Sequence, residues 1–293
     1  MSDKKNILVT GANGQLGMEF RELAPSYPRY NFHFASEFEL DITKTDQITS
    51  FFNENKFDHC INCAAYTAVD KAESEQEIAI LVNATAAGNL SAACKEFGTQ
   101  LIHISTDYVF DGNACTPYSE DAKTNPINFY GESKLRGELL VLQNDPSAII
   151  IRTSWLYSFY GNNFVRSMIR LMGQHDTIGV VNDQWGCPTY AYDLAVAIMT
   201  IMENGEWKME NGKNRIFHFC NNARITWFEF ATAIKELIES KCGVYPISSS
   251  EYKTAAKRPT YSVMDTRKIK REFGIKMHDW RESLEKCVKK YGN

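Results

Sequence analysis

Gly11-Ala12-Asn13-Gly14-Gln15-Leu16-Gly17 is the stretch on which the fold turns. It directly follows the apolar run Ile7-Leu8-Val9-Thr10 and opens a segment of helical periodicity over residues 15–24, the context a phosphate-binding glycine loop requires. Three glycines leave no Cβ where backbone must approach a pyrophosphate. The helix that follows turns free N–H groups and the positive end of its dipole toward the anion. A tight strand-to-helix turn without a ligand uses the same glycines; the position after the first strand favours the phosphate loop.

The same alternation continues downstream. Apolar runs at 6–10, 31–34, 59–62 and 100–105 read as strands, and 15–24, 46–55 and 78–97 as helices, the last closed by Gly98. Residues 70–77 form a helical turn leading into it. Strand, turn and helix in this order are the signature of βαβ units on a parallel sheet. A helix follows over 129–143, then a strand at 147–152, a helix at 164–172 and a short strand at 178–181. Past Gly186 the pattern is less regular, but Thr226-Trp227-Phe228-Glu229 is a capping box before a periodic run to Cys242, with Gly243 as its stop, and Asp279 caps a last helix. The expected fold is α/β: a Rossmann-type doubly wound parallel sheet over 1–155. A smaller C-terminal α/β region over 156–293, mainly substrate-binding, returns some segments to the core. No low-complexity linker separates the halves, so a cleft is expected between them.

At 293 residues, 44% hydrophobic and 12% aromatic, the chain can bury roughly three quarters of its unfolded surface without metal or disulfide help. Thirty-two Lys and Arg against 36 Asp and Glu give a net charge of −4, which offers no basic field to nucleic acid or anionic lipid. The polar residues 1–6 and the short Ile7-Leu8-Val9 run do not make a secretory segment, and no run of roughly 18 apolar residues occurs, so a cytoplasmic protein with no membrane partner is expected. Eight cysteines are dispersed. Cys60 and Cys63 make one C-x-x-C, but no second pair or histidine cluster completes a zinc site, so reduced buried thiols and no metal are expected.

A dinucleotide needs more than a glycine loop. After the second strand the sequence reads Phe34-Ala35-Ser36-Glu37. Ala35 and Ser36 supply no carboxylate for a ribose 2′-hydroxyl, which points to NADPH with NADH possible, unless the strand ends late enough for Glu37 to act as that acid. Asp41 and Ile42, then Asn62-Cys63-Ala64-Ala65-Tyr66, stand at strand carboxyl ends where such a sheet binds its ligand. Asp41 either accepts from an adenine amino group or caps the helix after Thr43. Ser105-Thr106-Asp107 ends the fourth strand, and Tyr130-Gly131-Glu132-Ser133-Lys134 places Tyr130 and Lys134 one helical turn apart. Alone, that pair also describes a surface contact. With Thr106 and the glycine loop it reads as an acid–base couple, in which an ammonium and a nicotinamide cation are expected to lower the Tyr130 pKa from about 10.

With these residues in place, the chain resembles the extended short-chain dehydrogenase/reductase family, through residues 11–17, 62–73, 105–112, 130–134, 152–157, 183–189 and 258–262. The glycine loop and Y-x-x-x-K mark the superfamily; Thr-Asp-Tyr-Val-Phe-Asp-Gly and Asp-Gln-x-Gly-x-Pro-Thr point within it to nucleotide-sugar reductases. The resemblance implies hydride delivery from NADPH, or NADH, to the C4 ketone of dTDP-4-dehydro-β-L-rhamnose. Tyr130 would be the proton donor, Lys134 would hold the nicotinamide ribose, and Thr106 would polarise the ketone. Gly11, Asn13, Gly14, Gln15, Leu16, Gly17, Asp41, Ile42, Ala64, Ala65 and Tyr66 would line the cofactor site, with Asn83 supporting its loop. Asp107, Trp155, Gln184 and Arg258 would meet the nucleotide-sugar substrate, with Thr189 a further candidate. Arg258 is suited to a pyrophosphate, its alternative being a solvated charge beside Lys257. Some members are dimers bridged by Mg²⁺ through glutamates. Only Glu19 matches here, with Tyr192 at a second such position, so a monomer or weak homodimer is expected. Two further readings carried by the resemblance are another nucleotide-sugar reductase or epimerase, and a non-catalytic partner similar to the methionine adenosyltransferase regulatory subunit.

Overall fold

The computed structural model describes residues 4–204 and 215–291, so the polar N-terminal stretch is described only from Lys4, and residues 1–3, 205–214 and 292–293 of the two expected regions lie outside the described residues. The first half runs β1 (Lys5–Thr10), α1 (Gln15–Leu23), β2 (Tyr30–Ala35), α2 (Thr45–Glu54), β3 (His59–Asn62), α3 (Val69–Ala72), α4 (Gln76–Ile80), α5 (Ala87–Glu96), β4 (Gln100–Thr106), α6 (Phe129–Asn144) and β5 (Ile149–Thr153). The second half runs β6 (Leu156–Tyr157), α7 (Phe164–Met172), β7 (Thr177–Val181), β8 (Trp185–Gly186), β9 (Thr189–Tyr190), α8 (Ala191–Glu203), β10 (Ile216–His218), β11 (Ile225–Thr226), α9 (Trp227–Leu237), β12 (Gly243–Ile247), α10 (Arg267–Phe273) and α11 (Trp280–Lys289).

Six of these strands form one parallel sheet in the order β10-β5-β4-β3-β1-β2. Successive residues point to opposite faces, and both faces are covered. Ile7, Val9, Ile61, Ile102, Ile149 and Ile151 pack with α1 and α8 on one side. Leu8, Cys60, Leu101 and Ile150 pack with residues of α2, α5 and α6 on the other. Such double burial explains why these strands read as continuous apolar runs. From β1 the chain steps to β2 on one side and then crosses to β3 on the other, so the sheet order reverses at the carboxyl end of β1. A crevice for a ligand opens at this kind of switch point.

A third apolar cluster, from α7, α9 and α11 with the parallel pair β7–β12, lies in the second half. Chain segments of that half also return to the main sheet: β10 pairs with β5, and α8 packs on α1.

Two expectations about elements are corrected. The helix read over 78–97 is broken by a turn of π-helix at Leu81–Ala86 between α4 and α5. Residues 76–96 form a helical run apolar enough by composition to cross a membrane, yet more than half of its most apolar window is buried inside the fold. The helix read to Cys242 ends at Leu237. Glu239 takes a positive φ of 52°, and Gly243 opens β12 instead of stopping a helix. Its capping box forms as read, with Thr226 Oγ1 accepting from the Glu229 N–H at 3.2 Å and Glu229 Oε2 accepting from the Thr226 N–H at 2.7 Å. All eight cysteines are free, and Cys115, unlike the expected buried thiols, is exposed.

Candidate active site

The glycine loop sits at the switch point. Gly11 has φ +63°, and a Cβ there would lie 2.6 Å from the Ala64 amide nitrogen, so neither the conformation nor the neighbouring strand exit admits a side chain. Gly14 begins α1 with no side-chain cap, which leaves the first-turn N–H groups of that helix for an anion. Gly11, Asn13, Gly14, Asp41, Ile42, Ala64 and Ala65 line one cavity of about 370 Å³, together with Ser36 and Glu37. β2 ends at Ala35, placing Glu37 two residues past it. The Ser36 hydroxyl is already donated to Glu39. Asp41 does not cap the next helix: α2 starts after Lys44, and Asp41 Oδ1 instead accepts from the Thr43 N–H at 3.0 Å and its hydroxyl at 2.6 Å.

Gly14 and Ala65 also belong to the adjoining cavity of about 540 Å³, which gathers Gln15, Leu16, Thr106, Asp107, Tyr108, Tyr130, Lys134 and Trp155. Thr106 closes β4, and Tyr130 and Lys134 face it from α6. The helix is set in place at its start. Asn128 caps it by accepting from the Gly131 N–H at 2.8 Å, and Glu73 Oε1 accepts from the Phe129 N–H at 2.9 Å. At Gly131 a Cβ would lie 2.1 Å from the Tyr108 carbonyl oxygen, so glycine lets the first turn of α6 press against the end of β4. Lys134 is 2% exposed, and its Nζ donates to the Ile104 carbonyl at 2.7 Å. Burial pulls its pKa down to about 8, with Glu138 opposing.

The Tyr130 phenol lines the same cavity. Desolvation pushes its pKa up to about 12, although a hydrogen bond with Thr106 pulls the other way. Asp107, 1% exposed, is pushed from 3.8 to about 6 by burial, against the pull of nearby Ser262 and of the Thr106 hydroxyl, which donates to its Oδ1 at 3.0 Å.

Tyr66 lines neither cavity. Its amide donates to Asn83 Oδ1 at 2.8 Å, and its hydroxyl donates to Glu75 at 2.6 Å. Asn83 sits on the π-turn and also donates to the Ser133 hydroxyl, coupling this loop to α6. Gly17 packs its Cα side on Ala12 behind the loop.

Tyr108 is shared with a third cavity of about 380 Å³, lined by Gln184, Arg258, Trp227, Tyr252 and apolar residues of α7 and β7. Arg258 is no solvated charge. Its guanidinium pairs with both carboxylate oxygens of Asp70. Trp155, held at the unusual φ of 47°, stacks on Trp227 with ring centroids 3.5 Å apart. Thr189 stays behind this surface, its hydroxyl accepting from Thr153 at 3.1 Å. Glu19 is fully buried, accepting from the Ser158 hydroxyl at 2.5 Å and facing Lys290 at 3.6 Å. Tyr108, Asp70, Trp227 and Tyr252 were not singled out as site residues from sequence. The signals available were the Val69-Asp70-Lys71-Ala72-Glu73 run within the family motif and an aromatic at the first position of the capped helix.

The RmlD substrate binding domain family matches over residues 5–293. The dTDP-4-dehydrorhamnose reductase of Aggregatibacter actinomycetemcomitans is 40% identical over 288 residues, covering 95% of this chain and 97% of that protein. The crystal structure of a dTDP-4-dehydrorhamnose reductase from Clostridium acetobutylicum superposes with a TM-score of 0.93 at 38% identity, covering 98% of this chain and 100% of that one. The Bacillus anthracis enzyme of that name, solved in complex with NADP, superposes with a TM-score of 0.91 at 39% identity, covering 98% and 99%.

Proposed function

This chain belongs to the RmlD family of dTDP-4-dehydrorhamnose reductases, and on that premise we propose that it reduces the C4 ketone of dTDP-4-dehydro-β-L-rhamnose to give dTDP-β-L-rhamnose. NADPH, with NADH as the lesser alternative, supplies the hydride when bound. The observation that carries this reading is that one cavity gathers Thr106, Tyr130 and Lys134 and shares lining residues with a cavity at the glycine loop on one side and, at Tyr108, with the cavity of Gln184 and Arg258 on the other.

The glycine loop fits a dinucleotide: Gly11 has no room for a Cβ, and the first turn of α1 is uncapped by side chains. Gly11, Asn13, Gly14, Gln15 and Leu16 would hold the pyrophosphate, with Asp41, Ile42, Ala64 and Ala65 around the adenosine half, while Gly17, packed on Ala12, and Tyr66, tied to Asn83, would support the loops from behind. Lys134 would hold the nicotinamide ribose. Thr106 orients the ketone and donates to its oxygen as negative charge develops, and Tyr130 delivers the proton. A protonated phenol at rest, which its raised pKa ensures, is the form that can donate. Asp107 and Trp155 contact the sugar, while Gln184 and Arg258 take the nucleotide end. The division into a dinucleotide-binding region over 1–155 and a mainly substrate-binding region over 156–293 belongs to this reading. So does a cytoplasmic monomer or weak homodimer, since Glu19 is enclosed by Ser158 and Lys290.

The test is NADPH oxidation with dTDP-4-dehydrorhamnose generated in situ, beside NADH and a control lacking sugar. Sugar-dependent oxidation supports the reading. Cofactor binding without turnover of that sugar moves the assignment to another nucleotide sugar or to a non-catalytic role.

A further inference from the structure

A line of buried polar side chains runs from Lys134 into the sheet. The Ala64 backbone amide donates to Asn62 Oδ1 at 3.2 Å, and because a backbone N–H only donates, this tells the oxygen of the Asn62 amide from its nitrogen. The Thr10 hydroxyl donates to the same oxygen at 2.7 Å. Asn62 Nδ2 therefore donates to His103 Nδ1 at 3.0 Å, so Nδ1 is an acceptor and the proton of the neutral ring is on Nε2. Nε2 lies 3.5 Å from Lys134 Nζ. His103 is 1% exposed, and burial with the adjacent ammonium keeps it neutral.

We propose that His103 is a positioning residue of the reduction: with its tautomer fixed by Asn62, it turns an N–H rather than a lone pair toward Lys134, so that among the described residues the ammonium has only the Ile104 carbonyl as acceptor and releases its proton readily. This rests on the reading of Tyr130 and Lys134 as the acid–base couple, and explains why a lysine serves as a proton store near neutrality. When the phenolate left by catalysis is restored, an N–H bond of Lys134 breaks and the O–H bond of Tyr130 re-forms; the neutral amine then takes a proton from solvent, while His103 keeps its own.

The other groups around Lys134 leave this role to His103. Glu138, one turn along α6, is held by Arg152 through Nε at 2.9 Å and Nη2 at 2.7 Å and accepts the Ser105 hydroxyl at 2.5 Å, and its remaining charge holds the Lys134 proton and so opposes its release. The Cys63 thiol, beyond the end of β3, is pushed upward by burial and stays neutral. Tyr130, on the same helix, is a neutral phenol.

The test uses the full chain labelled with ¹⁵N-histidine. The NMR signals of His103, assigned by their loss in His103→Phe, are expected to show a neutral ring protonated on Nε2 from about pH 6 to about pH 9. A ring protonated on Nδ1, or charged in that range, overturns the proposal. In the pH profile of kcat, His103→Phe is expected to move the limb assigned to Lys134 upward by about one unit. A lowered kcat with an unmoved limb marks a merely structural residue and also overturns it. If His103→Phe does not fold, signals are assigned by exclusion from variants of the other histidines, and the wild-type tautomer decides alone. The NMR result is independent of which sugar is reduced, so failure of the tautomer assignment and failure of the proposed function are told apart.

Discussion

The Arg258 guanidinium and the Asp70 carboxylate, 188 positions apart, form a two-pronged ion pair, Nη1 to Oδ1 at 2.9 Å and Nη2 to Oδ2 at 2.8 Å. Asp70 Oδ1 also accepts the Ala256 N–H at 3.0 Å, and Asn128, the cap of α6, donates to the Lys257 carbonyl at 2.8 Å. The loop carrying Arg258 is thus fastened both to α3 and to the helix that bears Tyr130.

Asp70→Asn should loosen that loop without touching the glycine loop. The KM for the nucleotide sugar is expected to rise about tenfold, equivalent to ~1.4 kcal/mol, with cofactor Kd near the wild-type value. Thermal stability should fall by less than about 1 kcal/mol, because both partners are partly exposed to solvent. A variant that loses cofactor affinity and keeps its sugar KM contradicts this assignment.

Tyr130→Phe removes the proposed proton donor and little else. Its kcat is expected to drop by roughly 10²–10⁴, with cofactor affinity, read by calorimetry, almost unchanged. Lys134→Met should weaken both, since the amine is read as holding the cofactor as well as resupplying the proton.

Asp107 ties stability to pH. Its folded-state pKa of about 6 lies above its ordinary value of 3.8, so the folded protein binds the proton more tightly. The resulting stabilisation is fully present below about pH 4 and is lost as pH rises through about 6, by on the order of 2–3 kcal/mol. Asp107→Asn should flatten this decline in denaturant titrations across that window. An unchanged slope would mean that Asp107 is not the group responsible.

Gly131→Ala forces a Cβ to within 2.1 Å of the Tyr108 carbonyl oxygen. Overpacking there is expected to cost about 1–3 kcal/mol and to displace the adjacent Tyr130, lowering turnover more than stability. Gly173→Ala is the control, its nearest neighbour being 3.6 Å away, and should behave as wild type.

The main sheet was legible because β1, β4 and β5 are largely buried on both faces and appear as mostly apolar runs, and β3 was placed to the residue. Its last strand, β10, was not, having only three residues after a long excursion. Helix α8 escaped notice because it is buried almost all round between the sheet and its neighbours, which erases the amphipathic period. Within the site, Thr106, Tyr130 and Lys134 could be read because a strand end and an i, i+4 spacing bring them together locally. No local spacing announces that Asp70 meets Arg258, that Trp155 stacks on Trp227, or that His103 lies behind Lys134.

The most direct test of the central claim follows the hydride. With NADPH carrying deuterium at the nicotinamide C4 position that is transferred, and dTDP-4-dehydrorhamnose as substrate, the account predicts one deuterium at sugar C4 in the wild-type product and almost none formed by Tyr130→Phe. Deuterium at another carbon, or NADPH oxidation that leaves the sugar unlabelled, would contradict it.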